Sequence, residues 1–394
     1  MREARTAVTR RMAALFLLAG VGLMTALGAA PAQAQVRIGV TVSETGPAAS
    51  LGIVEKKTIQ LLPATIGGEK AEYIIIDDAS DTTAAVRNMR KLASEDKVDA
   101  IIGSTTTPNC LAMLNVAAET GTPMLAMGAG AAIVEPMDEL RRWAFKPVHN
   151  DAMMVDAIVE HMARMGFRRI GYIGFADATG EGYWARLKDQ AVARGMTIVA
   201  NERYSRTDNS VTAQVLRITN AQPDAVLIAA SGSPAALPQI ALRERNFQGV
   251  IYQTHGVANN DFLRVAGKSA EGTYLPVGPL LVADQLPADD PVGRMGREVV
   301  ARYEKAYGEG SRTTFISNAY DTYVLLDAAV RVAKAKASPG TPAFRSALRD
   351  ALENIKEVAG TQGVYNMSTT DHVGLDNRSH YIVKIEQGRW KLAQ

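Results

Sequence analysis

The chain holds one cysteine, Cys110, in 394 residues, so no intramolecular disulfide can form. Stability has to come from packing, which a chain of this length can supply. His149, His161, His372 and His380 show no metal-ligand spacing, so no metal site is expected. Net charge is small too, at a formal +2, which gives neither nucleic acid nor an anionic membrane a global field to follow. No G-x-x-x-x-G-K-[ST] phosphate loop occurs, and after "MGAGAA", Met127 to Ala132, Ile133 stands in the place of the third glycine of a G-x-G-x-x-G dinucleotide fingerprint. A nucleophile elbow is also missing, so a secreted hydrolase would have to build its triad from scattered Ser, His and Asp. No cofactor is expected.

One long apolar run is present, at the N-terminus. Arg2, Arg5, Arg10 and Arg11 form a basic region, Met12 to Ala30 is uncharged, and Ala32-Gln33-Ala34 supplies small residues for a signal peptidase. Residues 1–34 are therefore expected to be an export signal cleaved after Ala34, leaving a periplasmic protein that begins at Gln35. Without its four Arg and one Glu the formal charge becomes −1. The remaining length exceeds what one core usually organises and points to two lobes.

Short Val/Ile-rich runs alternate with helical patterns along that remainder. "VRIGVTV", "AEYIIIDDA", "VDAIIGS" and "TPMLAMG" read as strands, with helices starting from Leu51, Thr82 and Asn109. A second series follows: "RIGYIGFAD", "MTIVANERY", "PDAVLIAAS" and "GVIYQTHG", with helices over 182–194, 211–220 and 235–245. This rhythm predicts α/β architecture with two doubly wound Rossmann-like lobes. Crossings between them are expected at "FKPVHND" around Pro147, at "YLPVGP" and at "AGTQGVYN". Lobes of 35–147 plus 279–360 and of 148–278 plus 361–394 would then share a three-crossover hinge, which favours closure around a ligand. Long helices are expected over 292–307 and 315–337, and a terminal hairpin turns at Gln387-Gly388.

Ligands of open α/β sheets sit where strands end and helices begin. "IIGSTTTPNCLAM" puts Ser104, Thr105, Thr106 and Thr107 at such an end, with Thr107 as N-cap and Pro108 as the first helical residue. Free N–H groups, the helix dipole and uncharged hydroxyl donors suit a carboxylate there; a plain capped turn is the alternative. Small residues in "MGAGAA" let a ligand approach the backbone, and "SETGPAASLG" brings Leu51 to the same edge. Asp77, Asp78 and Asp81 are too few for a metal, and Asp81 is expected to cap a helix. Tyr303, Tyr307, Tyr320 and Tyr323 recur at helical spacing and are expected in packing.

The order of these motifs resembles the periplasmic solute-binding proteins for branched-chain amino acids, the leucine/isoleucine/valine-binding type. The likeness runs through "TGPAASLG", "IIGSTTTPN", "TPMLAMGAGA" and "FKPVHNDAMM", then "IGFADATGEGYW", "PDAVLIAASG", "YQTHGVAN" and "AEGTYLP". It implies a type I periplasmic-binding fold, a non-enzymatic and monomeric receptor, and delivery of a solute to an inner-membrane ABC permease. By position it implies a carboxylate-binding hydroxyl near Thr107, backbone partners around Gly128 and Ala129, and Leu51 as a wall. Thr179 and Ser231 stand where amino-acid binders tend to have tyrosines, and His255 where they have an acid facing the ammonium. A protonated histidine cannot pair an ammonium but can donate to an acid, a phenol or a carbonyl, and the smaller side chains should leave volume, with Tyr183, Trp184 or Met127 as apolar wall. An aromatic or other hydrophobic carboxylic acid is therefore the expected solute, an amino acid the alternative; His255 could instead be a core histidine bonded to a neighbour.

Overall fold

The computed structural model describes residues 35–393; the expected leader lies outside them. Strand β1 (Gln35–Val42) is followed by α1 (Ala49–Gln60), β2 (Thr65–Ile66), β3 (Glu69–Asp77), α2 (Thr82–Arg90), β4 (Ala100–Gly103), α3 (Thr107–Thr120), β5 (Met124–Leu125) and β6 (Ala144–Phe145). These strands form one sheet in the order β2-β3-β1-β4-β5-β6, parallel except for β2. In β1, Val36, Ile38, Val40 and Val42 are fully buried on one face, and Gly39 and Thr41 are buried on the other, as in a parallel strand covered on both faces.

After Pro147 the chain builds α4 (Asp151–Arg164), β7 (Arg169–Phe175), α5 (Ala178–Ala193), β8 (Thr197–Tyr204), α6 (Thr212–Asn220), β9 (Ala225–Ala229), α7 (Ala236–Glu244), β10 (Val250–Gln253), α8 (Asn260–Ala266) and β11 (Tyr274–Val277). Helices α9 (Pro291–Tyr307), α10 (Phe315–Ala333) and α11 (Pro342–Glu353) follow, then a small hairpin of β12 (Val358–Ala359) and β13 (Val364–Tyr365), and finally β14 (Tyr381–Glu386) and β15 (Arg389–Leu392). The second sheet runs β15-β14-β11-β10-β9-β7-β8, with β14 and β15 antiparallel. Its two faces are buried by α6 to α8 on one side and α4 and α5 on the other. Helices α10 and α11 return to the first sheet, where Leu325, Leu326, Phe344 and Leu348 join its core.

Local chemistry accounts for several departures from the sequence reading. Helix α5 starts at Ala178 rather than 182 because the Asp177 carboxylate caps it, accepting from Thr179 N at 2.8 Å and Gly180 N at 3.3 Å. Gly180 is there for close approach, since a Cβ would lie 2.0 Å from Phe175 O. Helix α10 ends at Ala333 rather than 337, while α4, α8 and α11 went unread. The "AGTQGVYN" stretch is a hairpin turn held on the first lobe: Asp321 accepts from Thr361 N and Oγ1 at 2.8 Å, Gln362 N at 3.0 Å and the Tyr365 hydroxyl at 2.7 Å. Tyr365, Met367, Val373 and Leu375 belong to the first core, so the third crossing comes after Leu375, not near 360. Asp81 caps α2 through Ala84 N at 2.7 Å, and the terminal hairpin turns with positive φ at Gln387 and Gly388. The four tyrosines pack in two pairs, Tyr303 with Tyr307 and Tyr320 with Tyr323.

The crossings touch one another. Pro147 O accepts from Gln362 Nε2 at 2.5 Å, the Tyr365 hydroxyl bonded to Asp321 lies 2.8 Å from the same oxygen, and His149 Nε2 meets Ser379 O at 2.5 Å. Burial holds the His149 imidazole down at about 4, so it is neutral in the hinge.

Candidate functional site

The cleft between the sheets is lined from both lobes, which leave a cavity of about 40 Å³ between them. On the first lobe it meets the start of α3. Thr106, not Thr107, is the N-cap, its hydroxyl accepting from Asn109 N at 3.4 Å; Thr107 is the first helical residue and Pro108 the second. Thr107 Oγ1 accepts from Gly130 N at 3.1 Å, which leaves its own proton unclaimed. Thr106 likewise keeps its proton, so two hydroxyl donors and a helix N-terminus face the cleft.

The other two hydroxyls of the row serve a buried acidic network. Ser104 Oγ donates to Asp78 at 2.5 Å and does not line the cleft. Thr105 does line it, but its Oγ1 lies 2.5 Å from Glu55 Oε2 and accepts from Ser43 N at 3.0 Å. Burial, with Asp78 adding to it, pushes the Glu55 carboxyl up to about 8. Gly128 also stands behind the wall: a Cβ there would lie 2.9 Å from Thr107 N, so glycine lets the following loop pack on the helix start. Ala129 lines the cleft, while its carbonyl accepts from Asp151 N at 3.1 Å and from Lys146 Nζ at 3.0 Å. Burial lowers that lysine to about 8, against the pull of Asp151 and Glu135. Leu51, Met127, Val148 and Phe315 supply the apolar part of the lining.

The second lobe contributes the C-terminal ends of β7 to β10. Thr179, Ser231 and His255 line the cleft, but the volume expected beside the two small residues is occupied. Arg206, just after β8, fills it: Nη2 donates to Thr179 Oγ1 at 2.9 Å, Nη1 to Ser231 Oγ at 3.2 Å and Nε to Asp177 Oδ2 at 2.6 Å. Its guanidinium also stacks 4.0 Å from the Phe175 ring centroid. Each Nη keeps one N–H unassigned. The sequence reading missed this residue; its position after a strand end was the only available signal. His255 is bonded to a neighbour and faces the cleft at once: Nδ1 is 3.3 Å from the Tyr183 hydroxyl. Burial, then the nearby His149 and Lys146, hold it down at about 3, so the ring is neutral. One ring nitrogen of the neutral imidazole donates and the other accepts: Nδ1 accepting from Tyr183 puts the proton on Nε2, and Nδ1 donating to it leaves Nε2 an acceptor. Trp184 turns away and packs on Tyr172 and Arg203 instead, one helical step from Tyr183. No Asp or Glu is among the lining residues.

A family model described as "Periplasmic binding protein" matches residues 35–389. The chain belongs to the periplasmic binding protein family. An extracellular ligand-binding receptor from Rhodopseudomonas palustris HaA2 is 45% identical, with a TM-score of 0.89 over 92% of this chain and 100% of that one. Among curated proteins, Leu/Ile/Val-binding protein homolog 3 of Brucella melitensis is 23% identical over 66% of this chain and 72% of its own length. An ABC transporter solute-binding protein from Rhodopseudomonas palustris, solved in complex with benzoate, shares the fold at 21% identity, with a TM-score of 0.78 over 91% of this chain and 95% of that one. The type I periplasmic-binding fold of the branched-chain amino acid receptors is thus the fold of this chain. No helix among the described residues is long and apolar enough to cross a membrane, and among them no cluster of His, Cys, Asp and Glu could hold a metal.

Proposed function

We propose that this receptor captures a small organic acid without an amine in the periplasm and delivers it, as a monomer, to an inner-membrane ABC permease. The observation that carries the reading is the pairing of a hydroxyl-lined helix start with a lining that has no carboxylate. A ligand carboxylate would rest against Thr106, Thr107 and the free N–H groups of α3, opposite Leu51, Met127 and Phe315. An α-ammonium would find a neutral imidazole and an already paired guanidinium, and a buried cation without a partner costs several kcal/mol. The free Nη protons of Arg206 are donors, so an oxygen on the far end of the ligand is accommodated, while a cation there would meet a guanidinium of like charge. The benzoate-bound neighbour lends support only as a protein of the same fold that holds an aromatic acid. The test is a thermal-shift and calorimetric comparison of benzoate-like acids with leucine, because a ligand that binds only the folded state raises the melting temperature. Stabilisation by acids and indifference to leucine is expected. Tight leucine binding with no response to acids would overturn the ligand class.

A further inference from the structure

Glu55 lies on α1 behind the cleft wall, fully buried, and no part of the ligand reading uses it. Its Oε2 is 2.5 Å from Thr105 Oγ1, the same oxygen that accepts from Ser43 N at 3.0 Å, and its Oε1 has no hydrogen-bond partner. A hydroxyl oxygen has two lone pairs and one proton. Ser43 takes one lone pair, so the state of Glu55 decides what remains. If Glu55 is ionised it claims the Thr105 proton, and Thr105, which lines the cleft, is left with one lone pair to offer. If Glu55 is protonated it donates to that second lone pair, and the Thr105 O–H is released toward the ligand. The first arrangement sets an acceptor against a carboxylate and the second sets a donor.

We propose that Glu55 is a positioning residue which keeps a proton and so turns Thr105 into a third hydroxyl donor for the ligand's carboxylate, a donor that is withdrawn when Glu55 ionises. The inference rests on the carboxylate reading of the cleft. The titratable groups that face Glu55 are Asp78 at the end of β3 and the Cys110 thiol on α3; Asn318 from α10 and Ser43 after β1 are neutral, and among the described residues no cation forms an ion pair with it. Burial opposes its ionisation most strongly and Asp78 adds to it, outweighing Thr105 and Asn318, which favour the carboxylate, so the protonated form dominates below about pH 8. Affinity is therefore full below that pH and falls as pH rises through it.

Lys146 titrates in the same range, so the deciding quantity is a difference. Affinities for benzoate and for leucine, both of which carry a carboxylate, would be measured by calorimetry between about pH 6 and 9.5 in the wild type, in Glu55→Gln and in Thr105→Val. In Glu55→Gln the side-chain amide donates to Thr105 at every pH, so wild-type affinity should fall about tenfold more across the range than that of the variant. Thr105→Val, which has no hydroxyl to switch, should bind more weakly at low pH and share the shallow profile. Equal pH profiles in all three would overturn the inference while leaving the carboxylate reading intact. Binding of neither probe at any pH would overturn the carboxylate reading and this inference with it. An infrared carboxylic-acid C=O band at neutral pH that disappears in Glu55→Gln is expected without any ligand, and its absence in the wild type would also overturn the proposal.

Discussion

Replacing Gly232 by alanine tests whether the two lobes close on each other in the way the structure shows. Gly232 follows β9 with φ 63° and ψ −161°, a region other residues rarely occupy. A Cβ there would lie 2.7 Å from Leu51 Cδ1 and 2.8 Å from Ser50 Oγ, both at the start of α1 on the opposite lobe. The substitution therefore has two separable costs. Backbone strain, about 1–3 kcal/mol, is present whether the lobes are open or shut and lowers the melting temperature of the free protein. The clash exists only when they are shut. Ser50 Oγ has no hydrogen-bond partner and can rotate away, but Leu51 lines the cleft, so moving its tip takes space from the ligand. Overpacking of this kind costs about 1–3 kcal/mol, which corresponds to roughly a 5- to 150-fold loss of affinity. Calorimetry with a bound acid and differential scanning of the free protein read the two costs apart. Truncating Leu51 to alanine in the same chain should recover part of the affinity and none of the strain. A lower melting temperature with unchanged affinity would mean that the bound state does not bring Leu51 against Gly232.

Thr107→Val should weaken carboxylate binding by about 1–3 kcal/mol, since it removes one hydroxyl donor and leaves Gly130 N without its acceptor; unchanged affinity in calorimetry would take Thr107 out of the site. Arg206→Met strips Asp177, Thr179 and Ser231 of a shared donor, and because the pair is partly exposed a loss of about 1–2 kcal/mol is expected, together with weaker discrimination for acids that carry a distal oxygen; a melting temperature and a ligand ranking equal to wild type would refute it. His149 is held neutral in the folded hinge at about 4 but titrates near its ordinary value when unfolded. The unfolded chain binds more protons between those values, so stability should fall as pH drops from about 6.5 toward 4, and His149→Gln should flatten that part of a melting-temperature profile. An unaltered profile would show that the hinge histidine contributes nothing to acid sensitivity.

Much of the molecule was legible because local pattern and global fold agree. Continuous apolar runs such as β9 are what a sheet covered on both faces requires, and the hydroxyl row at the start of α3 showed its place at a strand end. Pattern failed where function depends on which ends meet. Arg206 follows β8, Glu55 lies on α1 and Lys146 follows β6, and only the folded chain sets the first in the cleft and the other two behind its wall, on Thr105 and Ala129. Removing side chains at Thr179 and Ser231 suggested space, yet the space went to a neighbour from another strand, a substitution that no position-by-position reading can see. The third crossing was misplaced for a similar reason: Asp321 lies forty residues before the turn it holds.

Cys110 has a further use that follows from its burial. Its thiol donates to Ser104 O at 3.1 Å beneath the first turn of α3, is wholly shielded, and is pushed up to about 12 by desolvation. A maleimide can reach it only after that turn lifts off the sheet. With no other cysteine in the chain to compete, the labelling rate of the native protein reports how often this segment opens. A ligand seated on the same helix start would slow that rate by a factor of one plus its concentration over Kd, so occupancy can be timed without engineering a reporter.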